Sequence, residues 1–115
     1  MSTRPDADLR LARVRALERE ALARLTAAAG ADPLCGVGRT DAAAPAKYQE
    51  GAVAALAQAR RALARPGTDA LAALRALEAS WLERGRTRLA DAPAWRAYLD
   101  GGAAALREAL ADPPA

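Results

Sequence analysis

Three charged residues, Glu18, Arg60 and Glu78, occupy positions where an amphipathic helix normally carries apolar side chains. On a helical wheel, each falls inside the apolar arc of its own predicted helix. A buried charge persists only when it is paired and hydrogen-bonded, so the three residues predict a carboxylate–guanidinium–carboxylate cluster inside the fold. The cluster is either structural or part of a ligand site or an all-carboxylate metal site. Alternatively, each side chain bends outward to solvent.

A second candidate site is a glycine-rich segment that contains Gly36, Gly38, Arg39 and Asp41. Backbone N–H groups near two closely spaced glycines, next to a guanidinium, are typical of an anion-binding nest. These four residues therefore form a predicted ligand-binding segment. The pattern lacks the Lys-Ser/Thr of a phosphate-binding loop and the strand that precedes a dinucleotide fingerprint. The alternative is a loop that needs its glycines only to turn.

The same segment, Gly-Val-Gly-Arg-Thr-Asp-Ala at 36–42, resembles the catalytic-aspartate motif of the tRNA pseudouridine synthases that modify the anticodon arm. The resemblance implies an α/β fold with Asp41 as nucleophile. In this chain the segment is flanked by predicted helices, and Ala-Ala-Pro at 43–45 replaces the Gly-Val-His that continues the motif. We therefore expect no catalytic residue in this segment.

Cysteine and histidine usage excludes several classes of site. Cys35 is the only cysteine, and the chain has no histidine. An intramolecular disulfide, a multi-cysteine zinc site, a histidine-based triad and haem ligation by histidine are therefore excluded. Cys35 itself is either an exposed thiol beside glycines or, as we favour, a buried and inert side chain. We predict a protein without catalytic residues, metal ligands or cofactor.

The elements that must position these residues are helices. The 115 residues fit one domain, and the residues that strands favour are scarce, with 3% aromatic residues and no Phe. Apolar periodicity predicts an all-α fold, a small bundle of about four amphipathic helices, at about 6–29, 46–65, 68–90 and 92–111. A long loop over 30–45 separates the first two. No internal repeat with a fixed period is evident.

Local signals set the predicted helix boundaries. Pro45 is expected near the first turn of the second helix, and Thr68 is expected to cap the third. The Gly101-Gly102 pair could split the fourth helix, because two glycines cost about 2 kcal/mol relative to alanines. Gly85 is expected where another backbone approaches. The first and third helices show the clearest apolar faces: Leu11, Val14, Leu17, Ala21, Leu22, Leu25 and Ala28, then Leu71, Leu74, Leu77, Trp81, Leu82 and Leu89.

Charge and composition favour some functions over others. The net charge of +3 comes from scattered arginines that share their helices with acidic residues, which makes a nucleic-acid partner unlikely. The chain lacks an apolar stretch typical of a signal peptide or a membrane helix, so the prediction is a cytoplasmic protein. The dominance of Ala and Arg is typical of a GC-rich bacterial genome.

Three functions follow, in order. The first is a non-enzymatic helical interaction or scaffold module that self-associates, because a core of Ala and Leu buries little apolar area per residue and a dimer would add to it. Its expected surface is the third or fourth helix. The second is a bundle that binds a small ligand or effector through the 30–45 loop and the interior charges. The third is a basic accessory subunit for nucleic acid.

Overall fold

The computed structural model describes residues 4–31, 40–87 and 92–111, and these residues form four helices. The helices are α1 (Arg4–Ala31), α2 (Thr40–Leu63), α3 (Ala70–Thr87) and α4 (Pro93–Leu110). The predicted all-α class and the number of helices are confirmed. In the described ranges, no helix combines the length and the apolar character needed to cross a membrane.

The start of α2 differs from the prediction. The helix begins at Thr40, six residues before the predicted start at 46, so Pro45 lies inside it. Proline at this position removes only the backbone hydrogen bond that its N–H would make to residue 41, and the three alanines before it are strong helix formers. The predicted loop 30–45 is therefore helical at 30–31 and at 40–45. Its middle part, 32–39, lies outside the described residues.

Two other local predictions also need correction. The cap of α3 is Asp69 rather than Thr68, since its Oδ1 accepts a hydrogen bond of 3.1 Å from the N–H of Ala72. Gly67, with a φ of 78°, supplies the left-handed residue in the turn before it. The Gly101-Gly102 pair does not interrupt α4, which is continuous from Pro93 to Leu110.

Tertiary contact explains why both glycines remain helical. A Cβ built on Gly101 would overlap the carbonyl oxygen of Tyr48 in α2, and one built on Gly102 would overlap the indole ring of Trp81 in α3. Gly51 in α2 meets the carbonyl of Tyr98 in α4 in the same way. The two helices therefore touch through their backbones, and α2 with α4 is the most extensive helix pair of the fold.

Side-chain contacts define the direction of the helices. Glu18, near the middle of α1, pairs with Arg60 near the end of α2. Arg24, further along α1, lines a common cavity with Tyr48 in the first half of α2, so these helices run antiparallel. Arg13 of α1 donates to the carbonyl oxygen of Glu108 near the end of α4. The end of α2 thus lies beside the middle of α1, and the end of α4 lies beside its first half. The two central helices run in the same direction, with α1 and α3 packed against them.

The reciprocal glycine contacts belong to an internal repeat, whose two helix pairs are offset by different numbers of residues and so follow no fixed period. Arg-Ala-Leu-Glu occurs at 15–18 in α1 and at 75–78 in α3, with further identities at Leu22/Leu82 and Arg24/Arg84. Tyr-x-x-Gly at 48–51 in α2 recurs at 98–101 in α4. We call α1 with α2 the first repeat and α3 with α4 the second repeat.

Burial follows the same correspondence. Paired positions of the two repeats are buried together in the single apolar core, including Val14/Leu74, Ala21/Trp81, Ala55/Ala105, Leu56/Leu106 and Ala59/Ala109. Leu22 and Leu82, both predicted on core-facing stripes, are instead 45% and 39% exposed. An identical deviation at equivalent positions indicates that the repeat is structural and is not an effect of an alanine-rich composition.

Candidate functional site

The structure brings Glu18 and Arg60 together. The Nε of Arg60 donates to Oε1 of Glu18 at 2.8 Å, and Nη2 donates to Oε2 at 3.4 Å. The glutamate side chain is 14% exposed and the arginine side chain 37% exposed, so the pair lies at the edge of the core. The hydrogen bond and the negative charge of Glu18 raise the pKa of Arg60, which keeps the guanidinium protonated.

The structure does not place Glu78 with this pair. Glu78 forms its ion pair with Arg107 of α4, at 3.5 Å, and none with Arg60. Glu18 and Glu78 are equivalent in the two repeats, and each pairs with an arginine of the second helix of its own repeat. The predicted three-residue cluster is therefore replaced by two separate ion pairs, Glu18 with Arg60 and Glu78 with Arg107. Among the described residues, no three acidic or cysteine side chains converge as metal ligands would.

The glycine-rich segment contributes little to a described site. Gly36, Gly38 and Arg39, together with Cys35, lie outside the described residues. The backbone of Asp41 lies in the first turn of α2 rather than in a loop. The predicted ligand site at these residues therefore remains a prediction.

A cavity that the sequence did not indicate lies between α1, α2 and α4. Its volume is about 80 Å³, and it opens to solvent on one side. Apolar side chains form its floor, while an arginine, a glutamate, a glutamine and a tyrosine contribute polar groups. The lining residues are Leu17, Ala21, Arg24, Tyr48, Gln49, Ala52, Leu56, Gly101, Ala104, Ala105 and Glu108. We call this space the α1–α2–α4 cavity.

In the second repeat the equivalent space is filled by the side chain of Trp81, which is 2% exposed. Its indole packs against the ring of Tyr98, with centroids 5.4 Å apart, and the guanidinium of Arg84 lies 4.7 Å from the indole centroid. Its Nε1 donates to Oε1 of Gln58 at 2.8 Å. Gly102 makes room for the indole, since a Cβ there would overlap it. The indole thus has a neighbouring aromatic ring, a cation and a hydrogen-bond acceptor.

The residues that hold the indole of Trp81 have counterparts at the α1–α2–α4 cavity, whereas the indole itself has none. Tyr48 corresponds to Tyr98, Arg24 to Arg84, and Glu108 to Gln58, and all three line the cavity. Ala21 stands at the position of Trp81, and Ala52 at that of Gly102. The cavity exists because a small side chain replaces a large one. Sequence reasoning placed Ala21 on the apolar face of the first helix; aligning the repeats is the signal that would have located the site.

The reverse replacement opens a second cavity, of about 210 Å³, between α3 and α4. Gly85 stands in α3 where α1 has Leu25. No atom of the described residues lies within 4 Å of a Cβ built on Gly85, so the expected approach of another backbone is not found in the described part of the chain. Arg86, Arg96 and Asp100 also line this second cavity. Its walls carry more charge than those of the α1–α2–α4 cavity.

No protein-family model, curated protein or solved structure matches this chain.

Proposed function

We propose that the protein is a non-enzymatic helical bundle that binds a small organic ligand in the α1–α2–α4 cavity. The observation that carries this proposal is the replacement of Trp81 by Ala21 at equivalent positions of two otherwise similar repeats. The second repeat closes its own space with an indole, whereas the first repeat leaves that space to a separate molecule. This is the second of the functions expected from sequence, with a different set of binding residues.

The lining suits a flat, largely apolar ligand. Leu17 and Leu56 provide an apolar floor, and Tyr48 provides an aromatic face that is 36% exposed. Small-molecule sites are typically concave and apolar, with a few polar groups that fix orientation. Arg24 and Glu108 supply such groups, and neither makes an ion pair with another described residue. Both are therefore available to a ligand.

The first experiment measures the binding of indole to the wild-type protein by NMR titration. A fragment of this size is expected to bind with a Kd on the order of 0.1–1 mM. The double variant Ala21→Trp/Ala52→Gly installs the tryptophan of the second repeat together with the glycine that accommodates it. This variant should fold and should no longer bind indole.

The matched control is Ala23→Trp, which adds the same side chain at an exposed position of α1 outside the cavity. This variant should bind indole as the wild type does. Binding of indole to the filled double variant with wild-type affinity, or no binding to the wild type, would contradict the proposed function.

A second candidate function, self-association as an interaction module, is supported by the exposed leucines. Leu22 of α1 and Leu82 of α3 are equivalent, identical and largely exposed. The apolar face of α4 is buried within the bundle, so the proposed surface keeps the third helix, α3, and adds α1 in place of the fourth. Sedimentation should show a dimer that Leu22→Gln/Leu82→Gln converts to a monomer. A monomeric wild type at high micromolar concentration would contradict this candidate.

A further inference from the structure

We infer that the ligand of the α1–α2–α4 cavity is an aromatic ring that carries an N–H donor, which it directs to the carboxylate of Glu108 while it packs on Tyr48. This inference rests on the proposed function and adds the chemistry of the ligand. It follows from the way in which the second repeat holds its own indole.

The hydrogen-bond acceptor is the group that most restricts the chemistry of the ligand. In the second repeat the acceptor of the indole N–H is Oε1 of Gln58, which belongs to α2, the central helix of the other repeat. The equivalent position in α4 is Glu108, which lines the α1–α2–α4 cavity. A carboxylate only accepts hydrogen bonds when ionised, whereas an amide also donates. Glu108 therefore selects a donor more strictly than Gln58 does, and its charge strengthens the bond.

Tyr48 lacks the two aromatic neighbours that its counterpart has. Tyr98 packs against the indole of Trp81, tilted by 35° at a centroid distance of 5.4 Å, and against that of Trp95, stacked at 5.2 Å with the planes 8° apart. In the first repeat the equivalent positions are Ala21 and Pro45, neither of which carries an aromatic ring. Among the described residues, no ring therefore packs on Tyr48 from these positions, and a ligand ring in the cavity gains the tilted ring contact that Trp81 makes with Tyr98.

The cation is also repeated. The guanidinium of Arg84 lies over the ring of Trp81, and Arg24 occupies the equivalent position at the cavity. Guanidinium groups pack favourably on aromatic faces, so Arg24 is placed to cover a ring seated on Tyr48. The ring of Tyr48, the guanidinium of Arg24 and the carboxylate of Glu108 together enclose a flat ring from three sides.

One replacement modifies the fit. The methyl group of Ala52 stands where Gly102 leaves space for the six-membered ring of Trp81. A ligand ring therefore lies closer to the open side of the cavity than the indole of Trp81 does in the second repeat. Removing the methyl with Ala52→Gly should deepen the cavity and strengthen the binding of a bicyclic ring.

The test compares two bicyclic probes of similar shape, indole and benzothiophene, in which sulfur replaces the N–H. Dissociation constants of both are measured by NMR titration for the wild type, Glu108→Ala, Glu108→Gln and the control Glu83→Ala, which removes an exposed carboxylate of α3 outside the cavity. The quantity of interest is the ratio of the two affinities, because it cancels the general apolar contribution.

Glu108→Ala should lower the preference for indole over benzothiophene roughly tenfold, as expected for the loss of one charge-assisted hydrogen bond. Glu108→Gln should retain most of the preference, as Gln58 does for Trp81, and Glu83→Ala should leave the ratio unchanged. An identical ratio in the wild type and Glu108→Ala overturns the inference while leaving a cavity that binds rings. Failure of both probes to bind the wild type overturns the proposed function as well.

Discussion

Gly102 in α4 lies directly against the indole of Trp81 in α3, so closely that a Cβ at residue 102 would overlap two carbons of the six-membered ring. The indole is nearly inaccessible to solvent and is held by a hydrogen bond to Gln58. It cannot move aside as the free end of a flexible side chain would. The contact makes residue 102 sensitive to the addition of one methyl group.

Gly102→Ala is expected to destabilise the protein by about 1–3 kcal/mol, since overpacking outweighs the gain in helix propensity. Gly85→Ala is the matched control, because Gly85 is also helical and no atom of the residues that the structure describes lies within 4 Å of the added Cβ. It should stabilise the protein by up to about 1 kcal/mol. Urea denaturation midpoints give the comparison, and equal shifts for the two variants would contradict the packing at Gly102.

Gly51→Ala and Gly101→Ala should each cost about 3 kcal/mol, because the added methyl meets backbone rather than a side chain and the two central helices must separate. The contacts are reciprocal, so the two losses should be similar. Equilibrium denaturation measures both. Tolerance of one variant together with strong destabilisation by the other would contradict the reciprocal backbone contacts of Gly51 and Gly101.

Trp81→Ala is expected to cost about 3–5 kcal/mol of unfolding free energy, because it removes the largest fully buried side chain of the described core. The variant should also recover stability when indole is added, because Tyr98, Arg84 and Gln58 remain to bind it. Thermal unfolding with and without indole provides the measurement. Benzothiophene should rescue less, and equal rescue by both compounds would show that Gln58 does not recognise the N–H.

The Glu18–Arg60 pair should show coupling in a double-mutant cycle, whereas Glu78 with Arg60 should give additive effects, since Glu78 pairs with Arg107. The raised pKa of Arg60 means that its contribution is present at lower pH and is lost only as the pH rises through that value, in strongly alkaline solution. The contribution of Arg60 to the free energy of unfolding should therefore be constant between pH 5 and pH 9. Denaturation midpoints at several pH values test both statements; coupling between Glu78 and Arg60 would contradict the observed pairing.

The sequence by itself determined the fold class and most helices, because these depend on local properties. The many alanines and leucines favour helix along most of the chain. The turn at Pro66 and Gly67 separates α2 from α3 whatever surrounds it. Even the contact of Glu18 with Arg60 was accessible, since helical periodicity placed both inside the apolar arcs of their helices. The partner of Glu78 was not accessible, because several arginines lie at suitable helical positions and only the packing of α3 on α4 selects Arg107.

The repeat was present in the sequence but was hidden by its spacing. Equivalent residues are 60 positions apart in α1 and α3 but 50 apart in α2 and α4, since Arg24 precedes Tyr48 by 24 residues and Arg84 precedes Tyr98 by 14. A search for one fixed period therefore detects neither the match of α1 with α3 nor the match of α2 with α4 convincingly. The equivalent contacts and burial of the helices reveal the relation, because a connection can change in length without changing what its helices contact.

Only the tertiary structure decided the candidate site. Glycine disfavours helix locally, yet Gly101 and Gly102 are helical because α2 and Trp81 lie where side chains would be. Leu22 and Leu82 fall on apolar stripes, yet both are exposed because those stripes are wider than the contact that each outer helix makes. The α1–α2–α4 cavity depends on Ala21, Tyr48 and Glu108 from three different helices. Propensity and periodicity are properties of one segment, whereas a cavity is the volume that several packed segments fail to fill.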